Sequence, residues 1–440
     1  MIFSSFFSRN YRLYTIGQIL SNIGFLIESI ALSWLVYRLT HSGLYVGILI
    51  FTSQITIFFI SPLSGILADR FERYKLLIYT NAITALMSLI LGIAVISGVH
   101  SLWFIFSTQI IVGLTKGIDN PVRNTLVNDL IEKPEHLVNA ISLNSSIFNI
   151  AKIIGPTIAA VLIPWKGEGI CFILNSISYL SIITVLLLMK HKPKLKNNEK
   201  INVFKDIQKG FIYSFNYSPI RTVIIFVGLL GLLSFSLNVV LPVYAKEILK
   251  GGADTFGFIT TYSGFGALIA ALYMATKQHA FGLEVVIFIA SLIYGAGFLL
   301  LSMVSDFALT SFIMIFVGFG QVLIFASASS ILQTLADENN LGRVIGLYFM
   351  FFMACTTLGS LLAGKLTDTI GITLTIKIIS VLTIVISLVY GTQIKNVRRK
   401  SFRRFLILGL DPLTFRNNPA IHINNKLKKF VYYFTNNANQ

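Results

Sequence analysis

The 440-residue sequence is poor in charge, cysteine and tryptophan. Charged residues form 12% of the chain, about half of the roughly 25% in a typical soluble domain, whereas hydrophobic residues form 55%. The two cysteines, Cys171 and Cys355, each lie in an apolar run, and the six histidines are scattered without the spacing of metal ligands. We therefore expect neither a disulfide framework nor a metal site, and an ordinary soluble domain is excluded.

Signatures of enzymatic chemistry are also lacking. The sequence has no Walker A phosphate loop, so ATP is not expected to drive this protein directly. The glycine-containing stretch 264–268 lacks the preceding strand that a dinucleotide-binding loop requires, and we interpret it as a helix-packing segment. We expect no enzyme activity and no cofactor.

Long apolar runs dominate the sequence instead. A bilayer core of roughly 30 Å requires about 20 apolar residues per helix. About twelve runs of that length are bounded by charge, glycine or proline, and they predict an all-α polytopic membrane protein. The predicted spans are 13–37, 44–68, 75–98, 101–130, 137–163, 167–189, 219–245, 255–276, 283–303, 307–336, 341–366 and 372–394.

The few charges are unevenly distributed. Lysine and arginine number 35 against 18 acidic residues, and segments 190–221 and 395–440 carry +15 of the formal net charge of +17. Basic residues collect on the cytoplasmic side of a membrane protein, and six predicted spans separate these two segments. Both termini are therefore predicted to be cytoplasmic. A basic face beside anionic lipid accounts for the charge, so no nucleic-acid partner is expected.

The basic tail permits two interpretations. From Arg398 to Phe434 it mixes basic, apolar and asparagine residues. Such a segment either lies on the membrane surface, as amphipathic segments do, or stays solvated.

An internal repeat relates the two halves of the chain. At an offset of 204 residues, seven of 26 positions are identical, among them Gly155/Gly359 and Ala159/Ala363. Small residues at four-residue spacing let helices approach closely. The matched segments are the fifth span of each half, so the repeat is parallel and predicts two six-helix bundles. The predicted domains are a first bundle at 1–189, a linker at 190–219, a second bundle at 220–394 and a tail at 395–440.

A charged loop is predicted after the second span. Residues 65–75 read Gly-Ile-Leu-Ala-Asp-Arg-Phe-Glu-Arg-Tyr-Lys. This stretch resembles the signature loop of the major facilitator superfamily, Gly-x-Leu-Ala-Asp-Arg-x-Gly-Arg-Arg/Lys, with an acidic residue at the second glycine. The resemblance implies that Gly65, Asp69, Arg70 and Arg73 belong to a loop that gates the conformational change. A plain basic cytoplasmic loop is the alternative.

A glycine-proline pair lies in the fifth span. Residues 151–160 read Ala-Lys-Ile-Ile-Gly-Pro-Thr-Ile-Ala-Ala. They resemble the antiporter motif of drug and proton exchangers, Gly-x-x-x-Gly-Pro-x-x-Gly-Gly, with alanine at three glycine positions. Pro156 bends the helix by removing a backbone hydrogen bond, and Gly155 keeps the packing face thin. A kink of purely structural meaning is the alternative.

The resemblance covers most of residues 10–390 and is to the branch that includes the enterobactin exporter and macrolide efflux proteins. Stretches 120–156, 169–180, 241–268 and 341–364 carry it. It implies the major facilitator fold in a monomeric exporter of the bacterial plasma (inner) membrane. The arginine that many proton-coupled members carry in the fourth helix would align with Gln109, so that coupling device is not expected here.

Three ionisable residues of the first half lie at one depth. Glu28, Lys116 and Lys152 each fall 15 residues into their spans, roughly 22 Å at 1.5 Å per residue, which is near mid-bilayer. Charges there are costly and mark functional sites. Asp119 and Arg123 follow Lys116 on roughly one helix face and predict a Lys116–Asp119–Arg123 ladder. These five residues are the predicted proton-coupling or substrate site.

Glu28 admits three roles. It is a site for proton coupling or for a substrate cation, a structural ion-pair partner of Lys152 or Lys116, or an exposed residue of the cavity wall. A basic residue just before the glycine-proline pair is usual in the branch that the chain resembles, which favours a structural role for Lys152.

The sequence therefore predicts a secondary transporter that exports an amphipathic small molecule in exchange for protons by alternating access. The molecule would be a drug such as a macrolide, or a siderophore. The alternatives are a siderophore-dedicated exporter, an importer or uniporter, and a non-transporting membrane sensor.

Overall fold

The computed structural model describes residues 8–131, 137–189, 203–233, 237–277, 280, 282–337 and 340–407. Within these ranges the chain forms fourteen helices and no strand. The helices are α1 Arg9–Thr40, α2 Gly43–Arg70, α3 Arg73–Ile96, α4 Leu102–Leu130, α5 Leu137–Lys166, α6 Glu168–Leu188, α7 Val203–Asn216, α8 Ser218–Leu233, α9 Leu237–Glu247, α10 Ala253–Ala275, α11 Leu283–Leu301, α12 Phe307–Leu335, α13 Leu341–Ile370 and α14 Ile372–Ile407.

Eleven segments of the described residues are long and apolar enough to cross a membrane, with α8 and α9 joined into one of them. The remaining long helix, α4, is made more polar by Lys116, Asp119 and Arg123. When α4 is included the spans number twelve. The predicted all-α polytopic membrane fold is therefore confirmed.

Two helices extend into regions that the sequence assigned to the linker and the tail. The amphipathic helix α7 lies inside the predicted linker, where the Tyr213 hydroxyl donates to Asp337 at 2.9 Å. The last helix, α14, continues past the predicted end at 394 because Arg398 Nε donates to Glu284 Oε1 at 2.6 Å and ties the extension to α11. Most of the tail, from residue 408 onward, lies outside the described residues.

The helices pack as two bundles with the same internal arrangement. In the first bundle α1 and α3 contact α6, α2 contacts α4, and α1 contacts α5. In the second bundle α8 and α11 contact α14, α10 contacts α12, and α8 contacts α13. Each contact of the first bundle thus has its counterpart in the second, as expected for a parallel repeat.

The repeated glycines occupy equivalent places in the two bundles. A Cβ atom at Gly155 of α5 would lie 2.6 Å from the Cβ of Leu26 on α1. A Cβ atom at Gly359 of α13 would collide with the carbonyl oxygen of Leu232 on α8. In each bundle the fifth transmembrane helix therefore approaches the first through a glycine.

We predict that Gly155→Val destabilises the first bundle by about 1–3 kcal/mol, because the added methyl groups overpack a closed contact. The measurement is the thermal unfolding midpoint of the purified chain in detergent. Gly346→Val is the matched control, since nothing lies within 4 Å of a Cβ atom at that helical glycine. Equal losses in the two variants would contradict the packing role of Gly155.

Candidate functional site

Polar side chains of several helices converge inside the first bundle. On α3, Asn81, Thr84 and Ser88 follow at spacings of three and four residues, which places them on one face, and all three are buried. α1 contributes Glu28 and α4 contributes Asp119, both buried. The bundle thus contains a polar column between apolar walls.

The Glu28 carboxylate is enclosed between α1, α3 and α6, with 6% of the residue exposed. Its Oε2 accepts a hydrogen bond from Ser88 Oγ at 2.7 Å and another from the Asn175 amide. Within the described residues no basic side chain forms an ion pair with it. The two structural alternatives, an ion pair with Lys152 or Lys116 and an exposed wall position, are therefore wrong.

A glycine one helical turn before Glu28 makes this contact possible. A Cβ atom at Gly24 would lie 2.8 Å from Asn175 Oδ1 and would collide with Ser178. Ser178 Oγ donates to Asn175 Oδ1 at 3.1 Å, and this orients the amide so that its NH₂ group faces the carboxylate. Close approach of α1 and α6 therefore supplies Glu28 with a neutral, oriented donor.

Asp119 and Arg123 form a buried ion pair along α4, with 2.8 Å between Oδ2 and Nη2. The Asn81 amide bridges them, since its Nδ2 donates to Asp119 Oδ1 at 2.7 Å and its Oδ1 accepts from Arg123 Nη2 at 3.2 Å. The two charges therefore neutralise each other beside α3. This pair is the Asp119–Arg123 contact of the predicted ladder.

Lys116 does not join the ladder. Its ammonium lies 4.8 Å from the ring centroid of Tyr179 and 5.3 Å from that of Phe25, and no ion pair to it is found in the described ranges. The prediction of a Lys116–Asp119 contact was wrong, because Arg123 and Asn81 already occupy the Asp119 carboxylate. Lys116 instead faces aromatic rings of α1 and α6, whose π-electrons attract a cation.

Lys152 lies where Pro156 interrupts α5. Proline has no N–H group, so the carbonyl of Lys152, four residues earlier, loses its helical donor. This carbonyl faces α10, where a Cβ atom at Gly264 would lie 2.7 Å from its oxygen. The Lys152 ammonium lies 5.3 Å from the ring centroid of Phe148 and has no hydrogen bond or ion pair to any described residue.

Two seams join the bundles, and the first lies between α5 and α10. A Cβ atom at Gly257 would lie 2.8 Å from the carbonyl oxygen of Pro156. Beside this contact, Thr157 Oγ1 lies 3.0 Å from Thr261 Oγ1. The two helices therefore approach at backbone distance just beyond Lys152.

The second seam lies between α2 and α13. A Cβ atom at Gly47 would lie 2.5 Å from the carbonyl oxygen of Ser360, and Ser360 Oγ donates to the carbonyl oxygen of Gly47 at 3.2 Å. Ser360 lies 204 residues after Pro156, so the internal repeat relates the two seams. In each seam a carbonyl oxygen of the fifth transmembrane helix meets a glycine of the other bundle.

Asp368, at the end of α13, caps α2 across the second seam. Its carboxylate accepts hydrogen bonds from the N–H groups of Gly43 at 2.6 Å and Leu44 at 3.1 Å, and from the Ser42 hydroxyl. A helix N-terminus presents free N–H groups and partial positive charge, which an acidic side chain complements. A side chain of the second bundle therefore caps the N-terminus of α2 in the first bundle.

The predicted gating loop is short. α2 ends at Arg70 and α3 begins at Arg73, so only two residues separate the helices. The side chains of Gly65, Asp69 and Arg70 lie outside the described residues. The gating role of these residues and of Arg73 stays a prediction.

Sequence reasoning missed the neutral partners of the charged residues. Asn81, Thr84 and Ser88 could have been found as a polar stripe at helical spacing in an otherwise apolar span. Asn175 could have been noticed as an amide in an apolar span. Asp368 gives no such signal, because an acidic residue near a helix end is ordinary.

The assembled geometry is that of a membrane protein with two repeat-related bundles and buried charges inside the first of them. Residues 2–403 match the sequence model of the family described as transmembrane secretion effectors. The chain belongs to this family of the major facilitator superfamily. The resemblance noted in the sequence is thereby confirmed, and the protein is a multi-pass membrane transporter.

The names of two similar bacterial proteins give different transported substances. The staphyloferrin A transporter of Staphylococcus aureus is 26% identical over 393 residues, which cover 88% of this chain and 94% of that protein. The Na(+), Li(+), K(+)/H(+) antiporter of Planococcus maritimus is 23% identical over 344 residues, covering 72% of this chain and 79% of that protein.

Solved structures share the fold. A bacterial homologue of the human lysosomal transporter Spinster, in an inward-facing and unoccupied conformation, superposes with a TM-score of 0.70 at 11% identity. The superposition covers 90% of this chain and 98% of that protein.

We predict that Asp119→Asn lowers the free energy of unfolding by about 3–5 kcal/mol, because Arg123 is then a buried charge without a counter-ion. The measurement is chemical or thermal unfolding of the purified chain in detergent. Adding Arg123→Gln to the same variant should recover most of the loss. A single variant as stable as the wild type would show that the ion pair has no structural role.

Proposed function

We propose that this transporter exports an amphipathic small molecule from the bacterial cytoplasm by alternating access, in exchange for protons. The observation that carries the proposal is the pair of repeat-related seams, which close the bundles on each other at one end of the molecule. Symmetric seams built from small residues are suited to separating and reforming, as alternating access requires.

The end of the molecule at which the bundles are closed determines which conformation of the transport cycle the structure represents. The seams reach the 41–42 connection, whereas the start of α1 at Arg9 and the end of α6 at Leu188 lie at the opposite end. With both termini cytoplasmic in the plasma membrane, and the basic faces beside anionic lipid, the closed end is the outer one. The conformation is then inward-open, with the site at Lys116 and Lys152 loading from the cytoplasm.

Glu28 is the proton site of the proposal. Its carboxylate has neutral donors, so gaining or losing a proton breaks no ion pair. A charge on a buried carboxylate is costly, and Ser88 and Asn175 offset part of this cost. Because the donors come from α3 and α6, protonation changes how α1 is held by its neighbours, which couples the proton to helix position.

The substrate belongs to the class of amphipathic small molecules. Phenylalanine rings lie beside Lys116 and Lys152, which suits a molecule with both apolar and polar parts. Similarity to a staphyloferrin A transporter supports a siderophore as the cargo, and a siderophore-dedicated exporter is the alternative within the proposal. The similar cation/H(+) antiporter supports exchange with protons.

We predict that Glu28→Gln abolishes the stimulation of transport by a pH gradient, because the amide cannot take up a proton. The measurement is efflux of a panel of siderophores and amphipathic drugs from proteoliposomes, with and without an imposed gradient. Substrate binding in detergent should be retained.

Asp254→Asn is the matched control, since Asp254 is an exposed carboxylate in the first turn of α10. It should respond to the gradient as the wild type does. If a compound moves equally fast in the Glu28 variant and in the wild type and follows the gradient in both, Glu28 is not the proton site.

Alternating access predicts that the α2–α13 seam must open during each cycle. A disulfide between Ser42→Cys and Asp368→Cys, in a Cys171→Ala/Cys355→Ala background, should form readily because the two native side chains touch. Transport in proteoliposomes should stop on oxidation and recover on reduction. Each single-cysteine variant is the control, and undiminished transport by the cross-linked protein would contradict the mechanism.

A further inference from the structure

We infer that the inner face of the first bundle recognises a carboxylate on the transported molecule, with Lys152 as its main contact and Lys116 as a second cation. The inference rests on the proposed function and deepens it, because it names the chemical class of the cargo as an amphipathic carboxylic acid. It follows from the position of the two lysines, their surroundings and the charge balance around them.

Lys152 lies on the face of α5 that is turned toward α1 and the second bundle. Gly155, three residues later, lies against α1, and Pro156, four residues later, lies against α10 of the other bundle. The side chain at position 152 therefore lies on the face of α5 between these two contacts. The exposed apolar side chains of α5, Ile154 and Val161, lie on the other side of the helix, where lipid is in contact.

Lys152 cannot reach a lipid headgroup. It lies 15 residues from the first residue of α5 and 14 from the last, which is roughly 22 Å from either end. A lysine side chain snorkels only over short distances near helix ends. Its ammonium therefore stays at mid-membrane, where basic residues occur mainly on substrate or ion pathways.

The charges of the site do not balance. Asp119 is neutralised by Arg123 along α4. Among the described residues this leaves Glu28 as the acidic group at the depth of Lys116 and Lys152, and it forms an ion pair with neither. At least one positive charge is therefore uncompensated in the empty site, and two are when Glu28 is protonated.

A carboxylate fits this imbalance better than a phosphate does. A phosphate monoester carries about 1.5 to 2 negative charges at pH 7. One uncompensated charge matches a single carboxylate. Phe148 and Phe25, each partly exposed beside a lysine, supply apolar surface for the rest of the molecule.

The test compares an acid with its neutral isostere. N-dansyl-L-phenylalanine and N-dansyl-L-phenylalaninamide are titrated by fluorescence against the purified full-length chain in detergent. We expect the acid to bind about tenfold more tightly, as one charge-assisted contact allows. Lys152→Met should remove this preference, Lys152→Arg should keep it, and Lys116→Met should reduce it.

Lys166→Met is the matched control, because Lys166 also lies over an aromatic ring, that of Trp165, at the end of the same helix. It should retain the preference, and thermal unfolding verifies that every variant is folded. Equal binding of acid and amide by the wild type, no binding of the acid, or an unchanged preference in Lys152→Met would each overturn the inference.

Binding in detergent requires neither transport nor a gradient. A preference for the acid in a chain that does not export would leave the inference standing and refute the proposed function. Gradient-driven export without any preference for the acid would support the proposed function and refute the inference.

Discussion

The cost of an unsatisfied polar or charged group inside a membrane governs this structure. Helices satisfy their own backbone groups, so the spans can be apolar, but each ionisable side chain must find donors within the bundle. Glu28 finds them on α3 and α6, and Asp119 finds them in Arg123 and Asn81. Close helix approach at glycines makes these contacts possible. The stabilisation of the buried charges therefore depends on how closely the helices pack.

The fold could be predicted from the sequence because its signals are long and redundant. Apolar runs of membrane-spanning length give the helices, and the 204-residue repeat gives their grouping. The extension of α14 past residue 394 could not be predicted. The extension depends on the contact between Arg398 and Glu284, which are 114 residues apart in the chain.

The candidate site was predicted less completely, for a physical reason. Charged residues in apolar spans are conspicuous, so Glu28, Lys116, Asp119, Arg123 and Lys152 could all be named. Which of them contact each other depends on helix rotation and on neutral partners. Lys116 and Asp119 are correctly spaced for contact on an isolated helix, yet the Asn81 amide and Arg123 take up the carboxylate first.

The repeat also shows where the two bundles differ. The positions equivalent to Lys152 and Pro156 are Thr356 and Ser360, so one seam carries a proline and a lysine where the other carries two hydroxyl groups. The backbone contacts are nevertheless alike, with a glycine opposite a carbonyl oxygen in both. Packing is therefore shared between the halves, whereas, among the described residues, the charged side chains near the middle of a span are confined to the first.

Lys152 has an electrical consequence for the transport cycle. One elementary charge moved across the membrane is worth about 2.3 kcal/mol per 100 mV, so an uncompensated ammonium at mid-membrane responds to voltage whenever the empty carrier reorients. A potential that is negative inside favours the conformer in which Lys152 is connected to the cytoplasm. In the proposed export cycle, a bound carboxylate would cancel this charge, so the membrane potential would act on the empty carrier alone and favour its return to the loading state.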